Sequence, residues 1–301
     1  MLGVINMSNN CDSNIITREY LDSILVETRY IDSTLPNMEK KLLGRTYSMP
    51  VATAALSHLH GVCGNGMVEY ALGAKKADAL CFIGMGEDSD MEAMGATGAD
   101  IVRIIKPHED NNIIFHKIEN AIANHAVAVG MDIDHAYSGN GTYDNVYGLP
   151  MKSKSLAEMK EFVAASSVPF VVKGVLSVSD AVKCVEAGAA GIVVSHHHGI
   201  MPSSVPPLMI LPEIVKEVGN ELDIFVDCGF ESGMDVFKAL ALGADAVCIG
   251  RNLMEALKGG SDAVSDRLNQ INNELKSIIA RTGASSLEEI DSSVLRFRNR
   301  F

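Results

Sequence analysis

The run PFVVKGVLSVSDAVKCVEAGAAGIVVSHHHG (residues 169–199) contains one complete strand–helix–strand unit. Pro169–Gly174 and Gly191–Ser195 are short and almost continuously apolar. Continuous rather than alternating hydrophobicity implies burial on both faces, as in a parallel sheet. Between them, Ser179–Gly188 carries apolar residues at helical spacing and ends on a glycine, a C-cap signal.

The same unit recurs in both directions. Toward the N-terminus, apolar runs occupy 48–55, 79–83, 101–105 and 126–131; toward the C-terminus they occupy 223–227 and 245–250. Helix-like segments follow, among them 155–165 after a serine cap and 233–244 ending at a glycine. Eight strands alternating with helices predict an α/β fold, specifically a (β/α)8 TIM barrel forming one domain over 1–301. Residues 1–45 read as an N-terminal cap. Residues 261–301 read as a C-terminal helix and tail, with a capping motif from Ser285 to Glu289.

Composition narrows the function classes. The 301 residues are 47% hydrophobic and 21% charged, with a formal net charge of −13. Such a chain repels a phosphate backbone, so no nucleic-acid partner is expected, and any bound anion needs local donors. The six cysteines form no CxxC pair and several sit in apolar runs, which reads as reduced core thiols. The first twenty residues do not read as a signal peptide, and no run approaches the ~18 apolar residues of a membrane span. A cytoplasmic protein without membrane contact is expected.

Barrel chemistry sits at the C-terminal strand ends. The last two strands end in DCGFESG (227–233) and GRN (250–252). Glycine lets a phosphate approach backbone N–H groups, the next helix adds its dipole, and Arg251 adds a charged donor. A phosphate-bearing cofactor is therefore expected at Gly229, Gly250 and Arg251, with Asp227 beside them. Lys173 ends an apolar strand inside the mouth and needs a partner there; an ion pair with Asp132 or Asp227 is the plain structural alternative.

On these residues, 170–251 resembles the FMN-dependent α-hydroxy-acid dehydrogenase/oxidase family, which includes glycolate and lactate oxidases. LLGRTYSMP (42–50) and ELKSIIARTGASSLEEI (274–290) extend the likeness to both ends. The resemblance implies FMN as cofactor and a small-molecule substrate in a homo-oligomer. It implies that Lys173 lies beside the flavin and stabilises negative charge on its reduced ring. It makes His197 the base that takes the substrate's proton, oriented by Asp132. Ala54, Ala55, Ser195, Asp227, Gly229, Gly250 and Arg251 become cofactor contacts.

The sequence departs from the pattern where the substrate binds. Ile200 stands at the arginine that clamps a substrate carboxylate, and Glu231 at a second phosphate arginine. Arg103 aligns with a flavin-contacting glutamine, Ile105 with a tyrosine, and Gly130 with a threonine; His196 and His198 replace an asparagine and a glycine. The expected activity is oxidation of a small hydroxy compound without that arginine. Arg103 is a candidate replacement clamp and His198 a candidate substrate contact. On an extended backbone His196 and His198 share one face and His197 takes the other.

A second reading is a flavin-free or metal-dependent lyase, aldolase or isomerase. It uses Lys173 as amine, or Asp132 and Asp134 with a histidine as metal ligands; no metal is assigned in the leading reading. A third is a non-catalytic descendant binding a phosphate ligand. The glycine-rich SGNGTYD (138–144) reads as a mobile βα loop, either a lid or a plain connection.

Overall fold

The computed structural model describes residues 11–298. Eight parallel strands close into a barrel: β1 (Val51–Leu56), β2 (Cys81–Ile83), β3 (Ile101–Ile105), β4 (Ala128–Asp132), β5 (Phe170–Val175), β6 (Gly191–Val194), β7 (Asp223–Val226) and β8 (Ala246–Ile249). Closure is made by β8 on β1, with Val247 opposite Val51 and Ile249 opposite Thr53. Each expected strand is present, shifted by at most a few residues. The first begins at Val51 because Pro50 has no N–H to give the ladder; its carbonyl instead accepts from Val247.

Alternation along the strands sets what the mouth contains. Val102, Ile104, Ala128, Val171, Val193 and Phe225 fill the barrel interior, with Phe82 and Phe225 edge to face at 5.0 Å. Ile101, Ile105, Val129 and Val172 pack outward against the helices. Continuing the inward alternation to the strand ends reaches Lys106, Asp132, Lys173, Ser195 and Asp227. All five are buried, at the ends where the chemistry of this architecture sits.

Among the described residues, ten helices lie outside the strands: α1 (Ser13–Ser23), α2 (Gly66–Lys76), α3 (Asp88–Gly95), α4 (Asn111–Ala123), α5 (Leu156–Ala165), α6 (Val178–Ala187), α7 (Pro207–Val218), α8 (Gly233–Ala241), α9 (Arg251–Ala256) and α10 (Gly260–Arg281). Ser155 caps α5 in a reciprocal box with Glu158, and Gly188 ends α6 in the left-handed region. Ser285 does bond to Glu289, but turns follow rather than the expected helix.

The expected N-terminal cap has two jobs. A hairpin pairing Lys40–Leu42 with Arg45–Tyr47 plugs the bottom of the barrel, where Leu43 N–H donates to Asp223 and Tyr47 to Asp100. Helix α1 roofs the opposite end. Of this cap, residues 1–10 lie outside the described residues, as do 299–301 of the tail.

Candidate active site

A cavity of about 310 Å³ opens at the C-terminal ends of the strands. Ala54 and Ala55 of β1 form one wall. Lys173, His197 and His198 lie on another side, and Asp227, Cys228, Gly229, Glu231, Gly250, Arg251 and Asn252 line the end beneath α8 and α9. The structure thus gathers seven of the eight residues expected at the cofactor. The eighth, Ser195, is fully buried behind it.

Ser195 instead shapes the histidine run. The backbone does not stay extended there: His197 has φ 48° and His198 φ 57°. Left-handed turns in non-glycine residues are costly and need support. Ser195 Oγ accepts the His197 N–H at 3.0 Å, and His196 Nδ1 accepts the Gly199 N–H at 2.9 Å. His196 and His198 both turn to α1 and His197 to the other side, as expected, but through a left-handed turn rather than the extended backbone expected there. His196 Nε2 donates to Thr17 of α1 at 2.8 Å, so its ring is neutral, as burial also favours. His198 Nδ1 meets Asn14 of α1 at 2.6 Å.

His197 turns inward. Its Nδ1 lies 2.8 Å from Asp134 Oδ1, 3.3 Å from Asp132 Oδ1 and 3.2 Å from Lys173 Nζ. Burial and the Lys173 ammonium push its pKa down, but the two carboxylates outweigh them and the net shift is upward. Asp132 is held between two lysines: Lys173 at 3.1 Å on Oδ1 and Lys106 at 2.6 Å on Oδ2. Burial opposes its charge, yet the lysines and His197 keep it ionised well below the usual carboxylate range. Lys173 also faces Asp227 at 3.8 Å. Burial works against the ammonium, but these carboxylates raise the Lys173 pKa above its ordinary value.

Arg103 does not reach the cavity. It lies on the outward face of β3, where one guanidinium nitrogen donates to Gly86 O at 2.8 Å. Burial lowers its pKa to about 10, and its neighbours are Glu87, Asp88 and Asp90. A one-residue register slip explains the misplacement, because only every second strand residue faces inward. The inward positions are Ile104 and Lys106, not Arg103 and Ile105. Lys106 was legible as a residue past the third strand but carried no motif. Asn14, Thr17 and Arg18, which brace the histidine turn and Gly229, gave no local signal at all.

The loop after β4 is built rather than plain. Asp134–Ala136 forms a short helical turn, Tyr137 and Tyr143 stack at 5.6 Å, and Asn145–Val146 pairs with Leu149–Pro150. Tyr147 at its tip packs on His58 of the loop after β1, with rings 4.6 Å apart.

The metal reading expects Asp132 and Asp134 with a histidine; the residues whose ligand atoms come within 4.8 Å of one another are instead Asp132, His135 and His197. A dication there, however, sits beside the ammonium groups of Lys106 and Lys173, which already neutralise Asp132. The amine reading fails on the same pairs, since a nucleophilic lysine needs a lowered pKa and Lys173 has a raised one.

The family model for FMN-dependent dehydrogenases matches residues 6–166 and 151–297. The chain belongs to this family. It is an oxidoreductase on a TIM barrel, and FMN is the family's cofactor. An L-lactate oxidase of Lactobacillus jensenii is 29% identical over 294 residues, covering 87% of this chain and 72% of that protein. Glycolate oxidase 3 of Oryza sativa subsp. indica is also 29% identical, over 91% and 85%. Among solved structures, a mandelate oxidase mutant with a C4a-OH-FMN adduct superposes with a TM-score of 0.85 at 26% identity, over 95% and 91% of the two chains. Membership in the family removes the flavin-free lyase reading.

The cavity fits such a cofactor. The end expected to take its phosphate is lined by Gly229, at φ +83°, and Gly250, where an added Cβ would lie 3.4 Å from Ala54 Cβ. Arg251 supplies the cation there, while Glu231 lines the same end and opposes an anion. Its inner end offers the Lys173 ammonium. Cys228 is no rival nucleophile: burial and Asp227 push its thiol up to about 12, and it donates to Asp227 at 3.0 Å.

Proposed function

We propose that the protein oxidises a small hydroxy compound with His197 as proton acceptor and without an arginine clamp on a substrate carboxylate. One observation carries this reading. His197 lines the same cavity as Gly229, Gly250 and Arg251, and is backed by two carboxylates that stabilise its protonated form.

The roles divide as follows. FMN, when bound, supplies the acceptor for the hydride equivalent. Gly229, Gly250 and Arg251 hold its phosphate, and Ala54 and Ala55 leave room for its ring. Lys173 presents a fixed positive charge at the inner end, locked by Asp132 and Asp227. His197 accepts the hydroxyl proton, and Asp132 with Asp134 compensates the imidazolium. Ser195 sets the turn that aims it.

Substrate choice follows from what the wall lacks. Ile200, at the family's arginine position, is apolar and exposed and does not line the cavity. Arg103 points elsewhere, so it is not a substitute. His198, held by Asn14, remains a polar group able to touch a substrate. Loss of a bidentate arginine removes the main gain from a carboxylate. Hydroxy compounds in which that carboxylate is neutral, such as amides or esters, therefore suit the site. The free cysteines agree with a cytoplasmic setting.

The test is anaerobic reduction of the purified yellow protein, followed near ~450 nm where oxidised flavin absorbs. Glycolate, L-lactate and their amides and methyl esters are compared. Neutral compounds are expected to bleach the flavin at least as fast as the acids. His197→Ala should slow bleaching by a hundredfold or more, on the order of general-base catalysis. Strict dependence on a free carboxylate, or full activity in His197→Ala, refutes the reading.

A further inference from the structure

His135 has no part in the roles above, yet it is the neighbour that meets the Nε2 of the proposed base, opposite the Nδ1 that faces Lys173. Its Nε2 lies 3.1 Å from His197 Nε2, and the two rings meet edge to face with centroids 4.3 Å apart. Its Nδ1 lies 3.2 Å from Asp144 Oδ2 in the loop after β4. Four groups thus form a row: Asp134, His197, His135, Asp144.

The protons in this row can be counted. His197 Nδ1 faces Asp134 Oδ1 at 2.8 Å, and a carboxylate can only accept, so this nitrogen carries hydrogen. The alternative has Lys173 donate to Nδ1, which leaves Asp134 against a bare lone pair; its other oxygen, Oδ2, is already buried without a partner. The same rule gives His135 Nδ1 a hydrogen, donated to Asp144. The two Nε2 atoms then face each other at hydrogen-bond distance. Without a proton between them they present two lone pairs. With one, the rings hold three protons and a single positive charge.

We infer that His135 is a positioning residue for His197: the two imidazoles share one proton across Nε2, and His197 can act as a base only after that proton has left the pair. The inference rests on the reading of His197 as proton acceptor.

The surrounding charges permit the shared cation. Lys106 faces His135, and Lys173 faces His197; both oppose it. Asp132, Asp134 and Asp144 favour it. Burial, first, and then Lys106 lower the His135 pKa, whereas the carboxylates raise that of His197. The shared proton therefore belongs mainly to His197. Proton balance is simple. Opening transfers the Nε2–H–Nε2 proton directly from the part-exposed pair to water, both Nδ1–H groups stay on Asp134 and Asp144, and the two Nε2 atoms become acceptors that repel. His197 Nε2 is then free to take the substrate's hydroxyl proton. That proton returns to the Nε2 pair and re-forms the shared state.

The experiment uses the FMN-loaded protein labelled with ¹⁵N in its histidines. Ring nitrogens are followed by NMR from about pH 5 to 10 in wild type, His135→Phe and His135→Gln. A shared proton makes the pair titrate in two steps separated by more than about one pH unit, both visible in both rings. His135→Phe and His135→Gln are each expected to collapse the His197 titration to one step at a shifted pH. The glutamine variant keeps a hydrogen-bonding side chain and guards against misfolding. In the flavin-bleaching assay, the acidic limb of the pH profile should move with that step in both variants. A His197 titration that is a single step in wild type and unchanged in both variants overturns the inference. If no hydroxy compound bleaches the flavin while the two-step titration stands, the proposed function fails and the proton sharing survives.

Discussion

Lys106 Nζ donates to Asp132 Oδ2 over 2.6 Å, joining the end of β3 to the end of β4 inside the barrel mouth. This bond lets one carboxylate serve two lysines. Asp132 can back His197 as an anion without drawing on Lys173 alone. Lys106→Met is expected to cost about 1.5–3 kcal/mol of stability, the range for a lost hydrogen bond to a charged group. It also leaves more of the Asp132 charge acting on His197 and His135. Their pKa values rise, and the acidic limb of flavin reduction shifts to higher pH. Denaturant melts and a pH profile of bleaching measure the two effects; an unchanged limb separates Lys106 from the base.

Removing the carboxylate itself is more severe. Asp132→Asn leaves two buried ammonium groups facing a neutral amide. Breaking a buried ion pair from one side typically destabilises by about 3–5 kcal/mol. The His197 pKa loses the first of its raising influences and falls. A urea titration should show the midpoint drop without a change in slope, and a protein as stable as wild type contradicts the buried pairing.

Stability should also follow pH with a defined sign. The His197 pKa is raised on folding. Its contribution is then fully present below the unfolded value near ~6.5 and is lost as pH climbs through the folded value. The denaturation midpoint of wild type, relative to His197→Gln, should decline as the buffer moves from about pH 6 upward through that window. A difference that grows with rising pH has the wrong sign and refutes the assignment.

At the other end of the cavity, two side chains of opposite charge line the place proposed for the FMN phosphate. Arg251 favours a phosphate and Glu231 opposes it. Arg251→Met should weaken FMN binding by roughly tenfold to a hundredfold, from a charge-assisted bond of about 1.5–3 kcal/mol. Glu231→Gln should tighten it by a few-fold, and the gain should shrink with added salt. Fluorescence titration of the apoprotein with FMN reads both. If Glu231→Gln weakens binding, the carboxylate does not face the phosphate.

How much of this could be read before the structure depends on whether the signal was local. The eight strands were legible because each is a buried run bounded by turns, and Ser155 and Gly188 marked helix ends by chemistry of their own. That Gly229, Gly250 and Arg251 would meet at one cavity was legible for the same reason: they sit past the ends of two strands, at or just before the helices that follow. The histidine turn was not. An extended run and a left-handed turn at His197 and His198 have the same sequence, and the choice is made by Ser195 Oγ and by α1 overhead. Arg103 was misplaced because β-strand facing reverses with each residue, so a one-residue slip in alignment sends a side chain outward. Lys106 and His135 were missed as site residues because their partners, Asp132 and His197, are brought to them only by closure of the barrel.

Gly174 offers a way to move Asp134 without touching a titrating group. Its φ is +88°, and a Cβ added there would lie 2.5 Å from Asp134 Cγ and Oδ2. Alanine is strained at such a backbone angle, and the carboxylate must also retreat. Gly174→Ala should therefore lose about 1–3 kcal/mol of stability and pull Asp134 away from His197 Nδ1. With that acceptor gone, Asp132 becomes the remaining carboxylate on the ring, the His197 pKa falls, and the acidic limb of bleaching moves to lower pH. Asp134→Asn supplies the control, since it removes the charge but keeps the backbone. The two variants should share the direction of the pH shift, while only Gly174→Ala carries the added backbone strain. Opposite shifts in the two indicate that Asp134 acts on His197 by something other than its charge.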